Sequence, residues 1–375
     1  MMQRMLSTPE ITLLLLCAQF AFPGYASPSL FQPQSMYLVG TEPKGIAKYD
    51  LNGNGRLDLI ITNFSSNTVS ILAGSGNGTF KSKYTYATGI HPNAVAVGNF
   101  NGDSIFDLAV VNKGNNTVSI LLNDGTGAFL PQKTYATGSL PNSIKIADIT
   151  GDKLLDIIIT NSGSNTISII SSNGDGTFQD QITYPTGKNP SEIVVGDFNG
   201  DGKPDLAITN SESNTVSILL NKGNGTFQAQ TTYATGKNPI GIVAGDFNNN
   251  GKLDLAITNS GSNTVSILIG KGDGTFQTQY TYPCGTNPTG ILTGDFNGNG
   301  KSDLAITNSG SNTISILMGK GDGTFQTQQL YPTGVQPTGI LVGDFNGDEN
   351  LDLVITNAAS NNISVLLNNQ DVTSK

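Results

Sequence analysis

The sequence has no tryptophan and a single histidine, His91, and these shortages limit what the protein can do. A histidine-based catalytic triad or a histidine-rich metal site needs more imidazoles than this chain has. Charged residues are also scarce, at 13%, and the formal net charge at pH 7 is -9. Since nucleic-acid affinity comes mostly from lysine and arginine contacts with phosphates, we expect no nucleic-acid partner.

Cysteine is nearly absent, and one of the two cysteines lies in a segment typical of a secretion signal, residues 1–26. Arg4 gives this segment a positive start, residues 11–22 are mostly apolar, and Gly24 and Ala26 are the small residues of a cleavage site. The apolar run is too short for a transmembrane helix. A buried helix is the alternative interpretation, and Leu16 disfavours a lipid anchor at Cys17. We therefore expect a secreted protein, extracellular or periplasmic, without a transmembrane anchor.

Cys284 would then be the one cysteine of the secreted chain, which excludes an intrachain disulfide. It stands where other copies of the repeat described below carry threonine or alanine, so we interpret it as a neutral substitution. A secreted fold of this size without disulfides needs another stabilising element, and a metal ion would supply one.

The sequence is instead rich in repetition, because a marker residue returns every 49 positions over seven copies. The spacing is constant, which indicates one supersecondary unit used repeatedly. The marker residues are Asp50, Asn99, Asp148, Asp197, Asp246, Asp295 and Asp344.

Each copy is predicted to form four short strands joined by tight turns. In the fourth copy the strands are residues 193–196, 206–209, 215–220 and 227–235, and a glycine-rich hairpin turn precedes the last. Hydrophobicity falls from the first strand to the fourth, which is typical of a propeller blade with its first strand at the axis. The main alternative is a parallel β-helix.

The two ends of the repeat array complement each other and favour a closed ring. The last copy stops after its third strand, whereas residues 31–37 match residues 325–331, which form the fourth strand of the sixth copy. The N-terminal strand can thus complete the last blade and remove an open sheet edge. We predict an all-β, seven-bladed β-propeller with four-stranded antiparallel blades over residues 27–370, followed by a tail at 371–375.

Three other series recur at the same period, and we interpret them as packing between blades rather than as ligand sites. These are Tyr37, Tyr86, Tyr135, Tyr184, Tyr233, Tyr282 and Tyr331, then Phe31, Phe80, Phe129, Phe178, Phe227, Phe276 and Phe325, then Pro43, Pro92, Pro141, Pro190, Pro239, Pro288 and Pro337.

Each marker residue opens a nine-residue loop with the pattern Asp-x-[Asp/Asn]-x-[Asp/Asn]-Gly-x-x-Asp, which predicts calcium binding. Calcium takes six to eight oxygen ligands, and alternate residues of a tight loop can point inward. Positions one, three and five offer side-chain oxygens, and position seven offers a backbone carbonyl. Position nine supplies a carboxylate, which is predicted to bind in a bidentate manner. The predicted ligands are Asp50, Asn52, Asn54, Arg56, Asp58; Asn99, Asn101, Asp103, Asp107; Asp148, Thr150, Asp152, Asp156; Asp197, Asn199, Asp201, Lys203, Asp205; Asp246, Asn248, Asn250, Lys252, Asp254; Asp295, Asn297, Asn299, Lys301, Asp303; and Asp344, Asn346, Asp348, Asp352.

The loops differ, so we expect up to one Ca²⁺ per blade, with the weakest binding in the second and third. Those loops carry Ser104 and Lys153 at the glycine position, and Glu349 stands there in the seventh. Affinities of about 10⁻⁴–10⁻³ M are typical of extracellular calcium modules. The alternative is a metal-free loop in which Asp and Asn form Asx-turns with their own backbone.

The segment GDFNGDGKPDLAITN, residues 196–210, resembles the FG-GAP or VCBS-type repeat. Members of that family include the propeller of integrin α chains, some fungal lectins and many secreted bacterial proteins. The resemblance covers about residues 27–370 and implies a seven-bladed propeller with calcium between strands one and two of a blade. Thr209 and Asn210 stand where the GAP segment would fall, so that part is degenerate.

We expect any ligand to bind on the face opposite the calcium loops, where the copies differ most. A secreted recognition or adhesion scaffold for a protein or glycan, acting as a monomer, is the leading hypothesis. A calcium-dependent lectin is the alternative, and a polysaccharide hydrolase or lyase using Glu192 with Glu212 is a weaker one. The variable residues here are Glu42, Lys44, His91, Leu140, Lys188, Asn189, Glu192, Glu212, Lys237, Asn238, Asn287 and Gln336.

Overall fold

The chain folds into seven four-stranded antiparallel sheets arranged as the blades of a propeller. The structure is a computed structural model that describes residues 29–370. The predicted secretion signal, 1–26, and the tail, 371–375, lie outside the described residues. The predicted all-β, seven-bladed fold is confirmed. Within 29–370, no helix has the length and apolar character needed to cross a membrane.

Each blade uses its strands in the same order from the axis to the rim. The first strands are β2 (Pro43–Tyr49), β6 (Pro92–Gly98), β10 (Pro141–Ala147), β14 (Pro190–Gly196), β18 (Pro239–Gly245), β22 (Pro288–Gly294) and β26 (Pro337–Gly343). The second strands are β3 (Asp58–Asn63), β7 (Asp107–Asn112), β11 (Asp156–Asn161), β15 (Asp205–Asn210), β19 (Asp254–Asn259), β23 (Asp303–Asn308) and β27 (Asp352–Asn357).

The outer half of each blade is built from the next two strands. The third strands are β4 (Thr68–Gly74), β8 (Thr117–Leu121), β12 (Thr166–Ile170), β16 (Thr215–Leu219), β20 (Thr264–Leu268), β24 (Thr313–Leu317) and β28 (Asn362–Leu366). The fourth strands are β5 (Phe80–Ala87), β9 (Lys133–Ala136), β13 (Ile182–Pro185), β17 (Thr231–Ala234), β21 (Tyr280–Pro283), β25 (Gln329–Pro332) and, in blade 7, β1 (Ser35–Leu38).

Burial is greatest in the middle of each blade. Every residue of the second strands is buried, and both faces of these strands contact neighbouring blades. The first strands are mostly half-buried because they line a central channel. The first strands thus lie at the axis, as predicted, and the fourth strands form the exposed rim.

The recurring aromatic residues pack between blades, in agreement with the sequence interpretation. Tyr184 of blade 3 meets Phe227 of blade 4 edge-on, with ring centroids 5.1 Å apart. Phe198 meets Phe276 of the next blade at 5.9 Å in the same manner. Aromatic pairs in this geometry add to the stability gained from burial alone. Each blade seam is thus a small apolar core of its own.

The N-terminal strand closes the ring, as predicted. β1 pairs with β28, placing Ser35 opposite Val365 and Tyr37 opposite Ile363. Ser364 donates its hydroxyl hydrogen to Gln34 Oε1 at 2.5 Å, as Ser315 does to Gln328 within blade 6. The first and last inner strands, β2 and β26, are also in contact. The ring of seven blades is therefore closed, with no gap at the chain ends.

The residue before each crossover proline adopts a left-handed conformation, with φ between 50° and 58°. Asparagine tolerates this region, but a leucine pays about 1–2 kcal/mol for it. Leu140 has φ 50° and a half-exposed side chain, whereas Asn238 has the same role with φ 52°. We expect Leu140→Asn to raise the free energy of unfolding by about 1 kcal/mol, and Asn238→Leu to lower it similarly. Urea denaturation of both variants tests this, and a destabilised Leu140→Asn protein would contradict the strain argument.

Candidate functional site

The seven predicted calcium loops lie at one end of the propeller, because each connects the first strand of a blade to the second. We call this end the loop face. The turns between second and third strands, together with the crossovers between blades, lie at the other end, which we call the crossover face. Antiparallel pairing within each blade fixes this division.

The aspartate at position nine of each loop is a buried structural anchor, a role that sequence reasoning missed. Its Oδ2 accepts the backbone N–H of position two at 2.9–3.1 Å. Its Oδ1 accepts the N–H of a residue at the end of the third strand at 2.8–3.0 Å. Bidentate metal coordination by this residue stays a prediction. The anchors are Asp58, Asp107, Asp156, Asp205, Asp254, Asp303 and Asp352, all at most 1% exposed.

Burial raises the pKa of these anchor carboxyls, in Asp303 and Asp352 to about 6. The carboxylate of Asp295 raises the pKa of Asp303 further, and Asp348 and Asp344 do so for Asp352. Each loop thus concentrates negative charge around a buried anion, an arrangement that a cation would relieve.

The other oxygens of each loop face its own backbone amides. In loop four, Asp197 Oδ1 accepts the N–H of Gly200 at 2.7 Å, and its Oδ2 accepts that of Gly202 at 2.8 Å. Asp201 Oδ1 accepts the N–H of Lys203 at 3.0 Å. These turns curl the loop around its polar side chains, which agrees both with a calcium loop and with the metal-free Asx-turn alternative.

The donor chemistry of the loops fits calcium. The side chains supplied are carboxylates, amides and one hydroxyl, all hard oxygen donors. In loop three the Thr150 hydroxyl oxygen is buried and has no hydrogen-bond partner, as a metal ligand would be before binding. Within residues 29–370, no group of three or more His, Cys, Asp or Glu side chains converges on a metal-sized position. The three aspartates predicted as ligands in each of loops three, four and seven therefore do not converge in this structure.

Position six adopts a left-handed backbone in every loop, whether or not it is glycine. Ser104, Lys153 and Glu349 have φ of 68°, 70° and 67° there, close to the 78° of Gly202. The second, third and seventh loops therefore keep the same course at a cost in backbone strain. Lys203 also pairs with the position-five carboxylate of Asp201 at 3.2 Å.

Each loop is clamped by the next blade. In blade 4, the hairpin after β16 sends the Gly225 N–H to the carbonyl of Ile149 in loop three at 3.2 Å. Asn221 Nδ2 donates to the same carbonyl at 3.0 Å. Equivalent backbone bonds join Gly274 to Phe198 and Gly323 to Phe247, both at 2.9 Å. Ordering a loop therefore also orders a seam between blades.

A central channel of about 330 Å³ opens toward the crossover face. Its lining comes from the beginning of the first strand of all seven blades. One residue per blade, directly after the crossover proline, forms what we call the channel rim. The rim residues are Lys44, Asn93, Asn142, Ser191, Ile240, Thr289 and Thr338.

The polar groups of the channel lining differ from blade to blade. Blades 1 to 4 contribute the lysine and the amides, and Glu192 accepts a hydrogen bond from the Ser143 hydroxyl at 2.6 Å. Lys145 lies 3.5 Å from Glu192. Blades 1, 5, 6 and 7 have glycine at the next position along, and blades 6 and 7 contribute the hydroxyls of Thr289 and Thr338. The sevenfold symmetry of the scaffold is therefore broken here.

The variable residues predicted for ligand binding do lie on the crossover face, but they form separate groups. Glu192 is in the channel, whereas Glu212 lies on the exposed turn after β15 and donates its backbone N–H to Lys188 O at 3.3 Å. These two carboxylates thus belong to different surroundings. Phe64, which sequence reasoning did not single out, stacks on His91 with ring centroids 4.4 Å apart, and Lys44 Nζ lies 5.6 Å from the Phe64 centroid.

The family model for the FG-GAP-like repeat matches the chain in six overlapping segments, 50–110, 99–159, 148–208, 197–257, 246–306 and 295–355. Together these cover most of the chain, so the protein belongs to the FG-GAP-like repeat family. No curated protein sequence matches the chain.

Solved propellers share the fold at low sequence identity. Virginiamycin B lyase from Staphylococcus aureus is 18% identical, with a TM-score of 0.64 over 90% of this chain and 99% of that one. Hydrazine synthase from Kuenenia stuttgartiensis is 18% identical, with a TM-score of 0.62 over 93% and 100%. An Agrocybe aegerita lectin that recognises non-reducing terminal N-acetylglucosamine is 16% identical, with a TM-score of 0.54 over 88% and 97%. At these identities the likeness is one of fold alone.

Proposed function

We propose that the protein is a secreted, calcium-binding recognition scaffold without enzymatic activity, acting as a monomer on a protein or glycan. The observation that carries this proposal is that the two faces differ in which residues they present. The residues that recur in every blade supply hard oxygen donors on the loop face, while the residues that do not recur gather on the crossover face. One fold serves many functions, so the residues that differ between the copies are the ones that would determine a specific partner.

Calcium in the loops would stiffen the ring rather than act as a switch. Aspartates and asparagines at positions one, three and five would hold it, with the carbonyl of position seven and the anchor carboxylate completing the shell. Because the Ile149 carbonyl next to loop three is clamped by blade 4, ordering that loop also secures a seam. The ion supplies only charge neutralisation and geometry here.

Adding millimolar calcium is expected to raise the melting temperature, and a chelator is expected to lower it. Millimolar calcium is about one to ten times the expected Kd, so each occupied site adds about 0.4–1.4 kcal/mol to the stability of the native state. Differential scanning calorimetry with Ca²⁺, with Mg²⁺ and with EGTA measures this. Asp197→Asn with Asp201→Asn should reduce the calcium shift more than the same change at Asp148 and Asp152. A melting temperature that is the same in calcium and in chelator would refute the metal role.

A glycan array, run with and without calcium beside a panel of extracellular matrix proteins, tests the recognition role. Binding to either kind of ligand, lost when the fold melts in chelator, is the expected result. Absence of binding to both, together with turnover of a polysaccharide, would instead make the protein an enzyme.

A calcium-dependent lectin is the second candidate, favoured by the chemistry of the channel rim. Amide and hydroxyl groups of Asn93, Asn142, Ser191, Thr289 and Thr338 are suited to sugar hydroxyls. The stacked Phe64 and His91 beside the rim supply a flat aromatic surface in a chain without tryptophan. Propellers of this shape include a sugar-binding protein, the Agrocybe aegerita lectin.

A further inference from the structure

Blade 2 departs from the other blades at the seam it shares with blade 3. In most blades a threonine of the second strand donates its hydroxyl hydrogen to the rim carbonyl of the next blade. Thr209, for example, donates to Ile240 O at 2.7 Å, and Thr258 donates to Thr289 O at 2.8 Å. Blade 2 has Val111 at this position. Asn93 Nδ2 donates to the Asn142 carbonyl at 2.7 Å, as Asn142 Nδ2 donates to the Ser191 carbonyl at 2.9 Å in the next seam, where Thr160 also donates. The blade 2 seam therefore keeps the amide bond and lacks the hydroxyl bond.

The same seam carries a lysine where four other blades have serine and blades 1 and 7 have Phe64 and Ala358. Ser162, Ser211, Ser260 and Ser309 occupy the equivalent position, and each donates its hydroxyl hydrogen to the carbonyl of the crossover residue in its own blade. Lys113 instead crosses the seam, and its Nζ donates to Asn142 Oδ1 at 2.9 Å. Lys113 therefore does not make the bond to the crossover carbonyl that the serines make, and it places an ammonium group beside the channel rim.

The Lys113 ammonium has no counter-ion among the side chains that the structure describes. The ion pairs there are Lys44 with Glu42, Lys145 with Glu192, and Lys203 with Asp201. Burial, and after it the nearby Lys44 ammonium, lower the pKa of Lys113. A half-buried ammonium that is bonded only to neutral groups can take an anion as a further partner.

Lys113 lies at the edge of the central channel, because its hydrogen-bond partner Asn142 is one of the lining residues. The channel volume, about 330 Å³, lies in the lower part of the range for ligand pockets. Asn93 and Asn142 contribute side-chain amides to the channel rim. The Phe64–His91 stack lies next to the blade 1 part of this rim, because the rim residue Lys44 has its Nζ 5.6 Å from the Phe64 ring centroid. An anionic group, several hydroxyls and a ring face are the features that this surface can recognise together.

We propose that the channel mouth between blades 1 and 3 binds a sugar that carries a carboxylate, with the Lys113 ammonium as its counter-ion. The carboxylate pairs with Lys113, the hydroxyls bond to the rim amides of Asn93 and Asn142, and the sugar ring lies toward the exposed His91. This assignment rests on the proposed function, because it specifies the ligand class of the crossover face. A sulfated sugar shares the anionic chemistry and is distinguished in the experiment.

Isothermal titration with uronic-acid oligosaccharides, with sulfated ones and with neutral oligosaccharides of the same length tests the assignment. The wild-type protein is expected to prefer the uronic-acid series. Lys113→Met should weaken that binding about tenfold or more, since a hydrogen bond to a charged group is lost. Lys237→Met removes the same charge from an exposed crossover position and should change the affinity less than twofold. Lys113→Arg should retain binding, and all variants should melt like the wild type.

Equal affinity for acidic and neutral sugars, preference for the sulfated series, or unchanged affinity in Lys113→Met would overturn the carboxylate assignment. None of these results would affect the scaffold role, which fails separately if calcium leaves the melting curve unchanged. Binding of a matrix protein that is insensitive to Lys113→Met, without any sugar binding, would likewise reject this site and leave the scaffold role intact.

Discussion

Replacing Phe31 with alanine is expected to lower the free energy of unfolding by about 3–5 kcal/mol, the usual cost of truncating a buried aromatic residue. Phe31 is 2% exposed and its ring lies 5.3 Å from that of Tyr331 and 6.1 Å from that of Phe296. It belongs to the short segment that completes blade 7, so the loss weakens the closure of the ring. Urea denaturation followed by circular dichroism measures the change.

A control from the same segment separates closure from general sensitivity. Met36 is 58% exposed, and Met36→Ala should change stability by less than about 0.5 kcal/mol. Deleting residues 29–38 should leave β28 as an open edge and cause aggregation. A circular permutant that carries this segment after β28, joined by a glycine-rich hairpin, should restore folding because blade 7 then becomes continuous. A stable deletion protein would show that closure by β1 is dispensable.

Replacing Asp205 with alanine should be nearly as damaging, and it should be so in the absence of calcium. Asp205 is fully buried, and its two oxygens accept the N–H groups of Asn221 at 2.8 Å and Phe198 at 3.1 Å. Each buried amide left without an acceptor costs about 1–3 kcal/mol, so a loss of about 2–6 kcal/mol is expected. Chemical denaturation in EGTA isolates this structural role from metal binding.

Two companion variants sharpen the interpretation of Asp205. Asp205→Asn keeps one acceptor oxygen and should be destabilised by less than the alanine variant. Asp273→Ala removes an exposed aspartate that bonds to Thr275 within a hairpin, and little change is expected. If Asp205→Ala is no less stable than Asp273→Ala in chelator, the anchor role of position nine is wrong.

The fold was predictable because the sequence repeats the pattern of one blade seven times. The constant spacing from Asp50 to Asp344 defined the blade, and the match between residues 31–37 and 325–331 defined the closure. Those inferences needed only the order of residues along the chain. The burial profile was not predictable in detail, because Val195 and Ile208 look similarly apolar in sequence, yet Val195 is half-buried and Ile208 is buried.

The site was predictable only where it follows the repeat. The loop pattern located all seven position-nine aspartates, but their anchor bonds depend on third-strand residues such as Asn221, which the pattern does not include. The threonine series ending in Thr356 has the same period and could have been found, with Val111 as its exception. The contact of Lys113 with Asn142 joins residues 29 positions apart in different blades, so only the folded ring shows it.

The number of calcium ions bound per chain, measured by equilibrium dialysis at millimolar free calcium, tests the central claim most directly. Several ions per chain are predicted, up to one for each of the seven blades, with apparent dissociation constants of about 10⁻⁴–10⁻³ M. Asp197→Asn with Asp201→Asn should remove one ion, and Lys113→Met should remove none. A chain that binds no calcium under these conditions would contradict the claim that the recurring loops are metal sites.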